Sequence, residues 1–413
     1  MERNVNRFVK VYPWYFGTIG DLLFYIAIDT LFLTVVKHLS SAEIVSILSF
    51  SQLACIVLQI PILFIMRKIG NTASLRVGAA MILLASIFIT FGRSYYTVLI
   101  GKIFHDTSTI FRNAMVVALE NNLDLVDRRK DFIRIRTTAN ATYSVITMLI
   151  ALVVSYMFNF NNYLPMFCSI GTCTIGFVLS LFMKDYSPYD RVSFGKSKTG
   201  ERVKIRYDGF LITAILTNAL FYLVVANGQG EGKLFIQEHL LLDFDVEKTA
   251  VILGIVIFFS RVFRVISNLI TRRVYARYRK YFGIALAAMI CCAIGCMLFG
   301  SFIPLPILKI AVMSLGYMLI LFIRDPFKLY MEDVVFENTP KEQHQTLVNI
   351  KEFGIKLACA GVGLIYSAML LKLPMIAVIA VVFVLSTIEV LLSLFLYRAV
   401  MKGKRNLREH NEA

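Results

Sequence analysis

Twelve stretches of about twenty mostly apolar residues follow one another along this chain. A helix crosses ~30 Å of hydrocarbon with about 20 residues, so each stretch is long enough to span a bilayer. In the first half they fall near 14–36, 43–66, 72–91, 95–120, 134–158 and 163–183. In the second half they fall near 208–227, 247–270, 282–302, 307–331, 346–371 and 374–397. Composition closes the other options. Of the 413 residues 58% are hydrophobic and only 17% charged, and mean hydropathy is +0.70. A soluble domain sits nearer half apolar and a quarter charged. Soluble, disordered, collagenous and disulfide-scaffold chains are all excluded, and the reading is an all-α integral membrane protein with 12 transmembrane helices.

The formal charge of +16 would point to nucleic acid in a soluble protein. Here it has another source. With the N-terminus inside, the predicted inner segments hold 29 Lys and Arg and the outer ones six. That bias places both termini in the cytoplasm of a cell membrane and predicts membrane lipids, not nucleic acid, as partners. The seven cysteines all lie in apolar runs and read as packing residues. The first apolar run carries Asp21 and Asp29 and lacks a small-residue cleavage site, so it is no signal peptide.

The one long polar stretch, 184–206, carries seven basic residues and divides the chain into bundles at 1–183 and 207–413. The halves echo each other. A shift of 205 residues lays Ile47 and Leu48 on Ile252 and Leu253, and Arg67 and Lys68 on Arg272 and Arg273. Val117 to Asn121 late in the fourth span matches Val334 to Asn338 late in the tenth. Such echoes fit a six-plus-six duplication with pseudo-twofold symmetry.

In these features the chain resembles the major facilitator superfamily over essentially its whole length. The signature loop of that family, between spans two and three, corresponds to Leu63–Leu75. Lys68, Gly70 and Leu75 fit its pattern; Arg67 stands where the family has Asp, and Leu63 where it has Gly. The resemblance implies a secondary transporter, with Arg67, Lys68 and Gly70 in a gating loop and spans one, four, seven and ten lining a central cavity. It also implies that the cytoplasmic latch made by the missing Asp has changed. The glycine-rich span-five signature of drug–proton antiporters is absent, since 140–147 contains no Gly.

Charge inside a bilayer costs at least ~2.5–3.5 kcal/mol per group, so it persists only toward a cavity or a partner. On the fourth span Lys102, His105, Asp106, Thr109, Arg112, Asn113 and Glu120 share a stripe about 120° wide on an ideal helix. Ser314, Tyr317, Arg324, Asp325, Lys328 and Glu332 share about 100° of the tenth. Thr18, Asp21, Tyr25 and Asp29 share about 80° of the first. The seventh offers Asn218, Tyr222 and Gln229 on one side. The bland alternative is that these charges pair in the core; Lys102 and Asp106, four residues apart, are suited to that. Arg324 and Asp325 are neighbours in sequence and cannot face each other, so each needs another partner.

Deep charge is cationic in the second half (Arg261, Arg264, Arg324 and Lys356 against Asp325 and Glu389) and acidic in the first (Asp21, Asp29 and Asp106 against Lys102 and Arg112). Arginine forks bind carboxylate or phosphate, whereas buried carboxylates and histidine carry protons. This predicts an anionic or zwitterionic solute held by Arg261, Arg264, Arg324 and Arg112, with Tyr25, Asn218, Tyr222 and Lys356 around it. Asp21, Asp29, His105, Asp106 and Asp325 are the candidates for coupling to a proton or other ion gradient. The expectation is a monomer without metal or cofactor. The Gly-x-Gly-x-Gly run 228–232 reads as an outer-loop turn, and Asn140–Thr142, an acceptor pattern for glycosylation, lies inside span five. No Walker, zincin or nucleophile-elbow pattern occurs, so enzymatic chemistry is not expected. Two other functions remain open on sequence: a flippase for an amphipathic or lipid-linked anion, and a non-transporting sensor on the same fold. A polysaccharide flippase fold is the alternative architecture, disfavoured by the linker and the half-to-half echoes.

Overall fold

The computed structural model describes residues 2–128, 131–187, 209–337 and 344–411. Within these, the side chains of Arg67, Ile133, Thr137, Arg272, Glu332, 336–352 and 402–411 are outside the description. Most of the predicted linker, and the side chain of Arg67 in the predicted gating loop, therefore lie outside the described residues.

All regular structure among the described residues is helical. The first unit holds α1 (Glu2–Ile19), α2 (Asp29–Leu31) running into a π-turn (Phe32–Val36), α3 (Ser41–Phe91), α4 (Tyr95–Arg112), α5 (Ala114–Asp124), α6 (Phe132–Phe160) and α7 (Leu164–Phe182). Then follow α8 (Gly209–Asp243), α9 (Val246–Tyr278), α10 (Phe282–Gly300), α11 (Pro306–Glu337), α12 (His344–Leu370) and α13 (Met375–Asn411). The chain divides into two compact units, Met1–Glu201 with Ala250–Phe258, and Arg202–Thr249 with Phe259–Ala413.

Local chemistry sets several boundaries. Val5, Phe8, Tyr12, Tyr15 and Ile19 recur every three or four residues and form the buried stripe of α1. Ser40 and Glu43 close a capping box at the start of α3, each side chain taking the other's backbone N–H. Gly70, at φ 84° and ψ 173°, kinks α3 and divides it into two spans, Ser41–Met66 and Lys68–Phe91. A residue with a Cβ would be strained there.

Among the described residues ten helical segments are long and apolar enough to cross a membrane. Many of their large apolar side chains face outward, among them Val57, Ile60, Phe160, Leu269 and Ile307. This is a multi-pass membrane protein. The first and fourth predicted spans are not among the ten, because charge and a break in the helix dilute them. The first is interrupted over 20–28 and the fourth at Asn113. The 80° arc of Thr18, Asp21, Tyr25 and Asp29 presumed an unbroken helix and is not realised as one.

The seventh span corrects a second expectation. α8 runs unbroken over 35 residues, so Gly228–Gly232 lies inside a helix and forms no turn. The reason is packing. A Cβ on Gly228 would come within 2.7 Å of Ile320 Cδ1 and 2.9 Å of Ile294 Cδ1, and one on Gly232 within 2.5 Å of Met297 Cε. These glycines let α8 approach α10 and α11 closely, as small residues do between membrane helices.

Each unit repeats one packing scheme. In the first, α1 packs on α6 and α7, while α3 packs on α4 and α7. In the second, α8 packs on α12 and α13, while α10 packs on α11 and α13. The two sets of helices thus share one pattern of neighbours. None of the seven cysteines forms a disulfide.

Candidate functional site

The first unit gathers its buried charge around His105 on α4. His105 Nε2 lies 2.8 Å from Asp21 Oδ1, and Nδ1 lies 2.8 Å from Asp106 Oδ1. Lys102 Nζ donates to the same Asp106 oxygen at 2.9 Å and stands 3.3 Å from His105 Nδ1. Ser51 on α3 donates to the other Asp106 oxygen at 2.6 Å. Three elements thus hold one imidazole between two carboxylates. Asp21 reaches it because the chain has left the helix: the Leu22 N–H, which has no helical partner, is taken by Asp21 Oδ1 at 2.8 Å. Tyr25, in the same unwound stretch, stands close enough to Asp29, Asp21 and Asp106 for their charges to act on it. Asp29 accepts the N–H of Thr30 at 2.7 Å at the start of α2.

Breaking a helix inside a membrane frees carbonyls that water would satisfy elsewhere. Arg112, buried at the end of α4, donates to one of them, the Ile19 carbonyl where α1 stops. Its Nε has no hydrogen-bond partner among the described residues. Gly78 on α3 makes room: a Cβ there would lie 2.9 Å from Arg112 Cγ and 3.1 Å from the Arg112 backbone nitrogen. The guanidinium therefore ties the break in the first span to the break in the fourth.

At the end of the same unit, residues assigned on sequence to the linker belong to the bundle. Asp185 is 2% exposed. It accepts from Asn71 Nδ2 at 2.8 Å and Asn121 Nδ2 at 2.7 Å, and its own N–H donates to Thr72 Oγ1 at 3.0 Å. Asn122 Nδ2 donates to the Lys184 carbonyl at 2.9 Å and its Oδ1 accepts from the Tyr186 N–H at 2.9 Å. A carboxylate thus binds the residue next to Gly70, although Arg67 occupies the family's acidic position. Lys68 is exposed.

The second unit is built differently. Arg264 on α9 grips Asp325 on α11 with Nε to Oδ2 at 2.7 Å and Nη2 to Oδ1 at 3.2 Å, and Asn268 adds a third bond at 3.1 Å. Arg324 makes one long bond among the described residues, donating to Gln229 Oε1 at 3.4 Å. Arg264 and Arg261 lie near enough to Arg324 to repel it. On α8, Asn218 is buried and neither Oδ1 nor Nδ2 has a partner among the described residues; Gln229 Nε2 and, on α11, Ser314 Oγ are likewise unmatched. Tyr222 follows Asn218 by one turn on that side of α8. Lys356 is half-buried on α12.

Sequence reasoning therefore placed Asp21, His105, Asp106, Lys102 and Arg112 on interacting elements, and paired neither Asp325 with Arg264 nor Arg324 with Gln229. It missed Ser51, Asn71, Asn121 and Asp185. Asp185, the first acidic residue after span six, was visible but had no partner in the sequence to give it meaning.

Comparison with solved structures decides the architecture. The nucleoside transporter NupG superposes with a TM-score of 0.73 over 97% of this chain and 99% of its own, at 12% identity. The D-xylose–proton symporter gives 0.71 over 95% and 97%, at 13% identity. This chain has the major facilitator fold. A bacterial homologue of the iron transporter ferroportin adds 0.67 over 97% and 99%, at 11% identity. At such identities the agreement is one of fold alone. No family model matches the sequence, and no curated protein matches it. The His105 network joins α4, α3 and the unwound part of the first span, and the second cluster joins α8, α9 and α11.

Proposed function

We propose that the protein is a secondary transporter of a small anionic or zwitterionic solute, working by alternating access and driven by protons. The observation that carries the reading is His105 between two carboxylates. A neutral imidazole has one N–H and can donate to only one of them; the imidazolium donates to both. When the proton leaves, Nδ1 becomes an acceptor, and the Lys102 ammonium stands at 3.3 Å to supply a hydrogen. Two bonding patterns thus share nearly the same atomic positions, one with Asp21 and Asp106 bridged and one with the bridge opened on the Asp106 side. The bridge joins α4 to an unwound part of the first span, so a single proton changes how these two pieces are held together.

On the solute side, buried polar groups without partners call for water or a ligand. Arg324 would meet a carboxylate or phosphate oxygen, and the amides of Asn218 and Gln229 would meet hydroxyl or amino groups. Arg264 and Asp325 satisfy each other, so we assign them to holding α9 against α11, with Arg261 and Lys356 as outlying cations. Arg112 is assigned to securing the helix breaks. The positive-inside bias supports a cell-membrane protein with both termini cytoplasmic, and the transport reading leaves no step that needs enzymatic chemistry.

The test has two stages. A panel of carboxylates, amino acids, sugar phosphates, nucleosides and lipid-linked anions is screened for thermal stabilisation, which reports binding by mass action. Any hit is then followed in proteoliposomes. An imposed pH gradient is expected to drive accumulation in the wild type, and His105→Gln is expected to retain exchange of labelled solute while losing accumulation. Accumulation that ignores the gradient would overturn the proton-coupled reading. A hit confined to lipid-linked anions would favour a flippase.

A further inference from the structure

A cleft on α9, α10 and α11 of the second unit is lined by residues that none of these polar clusters uses. Its volume is ≈ 320 Å³, within the range of small-ligand clefts, roughly 300–1,000 Å³. Its walls include Ile270, Val274, Tyr278, Ala285, Met289 and Phe322. Ile270, Val274 and Tyr278 are 40%, 39% and 55% exposed, so the cleft is open at the protein surface. The two aliphatic hydroxyls that line it, Ser267 and Thr271, are both engaged. Pro326 on α11 has no N–H to offer the Phe322 carbonyl four residues back. Ser267 donates to that carbonyl. Thr271 donates to the Ser267 carbonyl at 2.6 Å. With those two hydrogens spent, these walls suit hydrocarbon.

The depth profile is graded. The membrane-length part of α9 ends at Thr271 and that of α10 begins at Phe282. Ile270, Met289 and Phe322 therefore lie at hydrocarbon depth, and Tyr278 and the turn residue Tyr281 lie beyond it, where aromatic residues favour the interface. Two cations stand on these rings: the Arg277 guanidinium 5.7 Å from the centre of Tyr278, and Lys280 Nζ 5.1 Å from the centre of Tyr281. The phenols of Tyr281 and Tyr397 favour the charged form of Lys280, raising its pKa. Among the described residues no carboxylate pairs with Arg277 or Lys280. Asp333, the nearby acid, is taken by Arg279 at 2.6 Å and by Tyr275.

The geometry points to a binding site for an anionic phospholipid, one acyl chain lying in the cleft and the phosphate meeting Arg277 and Lys280. Charge complementarity selects the headgroup, and the apolar walls select the chain. The site is separate from the proposed solute and proton residues, and stands or falls without them.

The test uses the full chain in detergent with dioleoylphosphatidylglycerol and dioleoylphosphatidylcholine at equal concentration, and reads retained lipid by native mass spectrometry. Two cations near a headgroup give roughly tenfold or greater preference for the anionic lipid. Arg277→Ala with Lys280→Ala is expected to bring the preference close to unity while total retention persists. Ala285→Trp, at an exposed position on the cleft wall, is expected to reduce retention of both lipids, and Met289→Trp serves as a second filling variant should the first fold poorly. Equal retention of the two lipids by the wild type, an undiminished preference in the double variant, or full retention in both filled variants would each overturn the site.

Discussion

The charge clusters of the two units differ in how far they satisfy themselves. In the first, Asp21, His105, Asp106, Lys102 and Ser51 form a closed network in which every carboxylate has a donor. In the second, one pair closes on itself, Arg264 with Asp325, while Arg324 holds a single long bond and the Asn218 amide none among the described residues. A closed network that contains histidine can change state by gaining or losing a proton, with no ligand added. An open set of donors changes state only when something binds. The difference supports the assignment of the first cluster to coupling and the second to the solute.

The sharpest way to break this division is to exchange its consequences. His105→Gln is expected to abolish gradient-driven accumulation, a loss of about tenfold or more, worth at least ~1.4 kcal/mol, while solute affinity stays within about twofold. Affinity that falls together with accumulation would merge the two clusters into one site. Arg324→Ala should do the reverse. Removing one partner of a buried charge contact costs about 2–5 kcal/mol, read as a weakened thermal shift with the solute and an unchanged melting point without it.

Next in size is Asp185→Ala. It leaves the Asn71 and Asn121 amide donors without their acceptor, and is expected to cost about 3 kcal/mol of stability, measured as a lower unfolding midpoint with solute binding retained. A double-mutant cycle on Arg264 and Asp325 should show coupling of about 1 kcal/mol, reduced by the partial exposure of both groups. Coupling near zero would return Arg264 to the solute cluster. The smallest effect belongs to Asp245, which caps α9 by accepting the Lys248 N–H at 2.8 Å. That bond holds its carboxyl below the usual range. The cap is therefore complete above the ordinary carboxylate value and is lost as pH falls through the lowered one. Asp245→Ala should flatten that acid limb in a pH series of melting points.

Much of the fold was legible because hydrocarbon demands long apolar runs and loops repel it; ten spans appear where hydropathy put them, apart from the length of α8. The misreadings share one cause, the environment of a residue that local sequence does not carry. Gly228, Gly230 and Gly232 look like a turn until Ile320, Ile294 and Met297 are seen pressing on the first and last of them. Asp21 and Asp29 look like one helical stripe until the chain unwinds between Gly20 and Ile28. Lys102 and Asp106 pair as their spacing of four predicts, but nothing in the sequence could choose Gln229 for Arg324 or Asn71 for Asp185. Contacts within a turn of helix are readable; contacts between helices distant in sequence depend on the fold.

The central claim is that a proton on His105 and a solute on the second unit are coupled. It is tested most directly by proton exchange on ligand binding, followed with a pH indicator in weakly buffered detergent solution. The account predicts that a saturating solute changes the indicator signal of the wild type and leaves that of His105→Gln flat at equal occupancy. An undiminished signal in His105→Gln would contradict it.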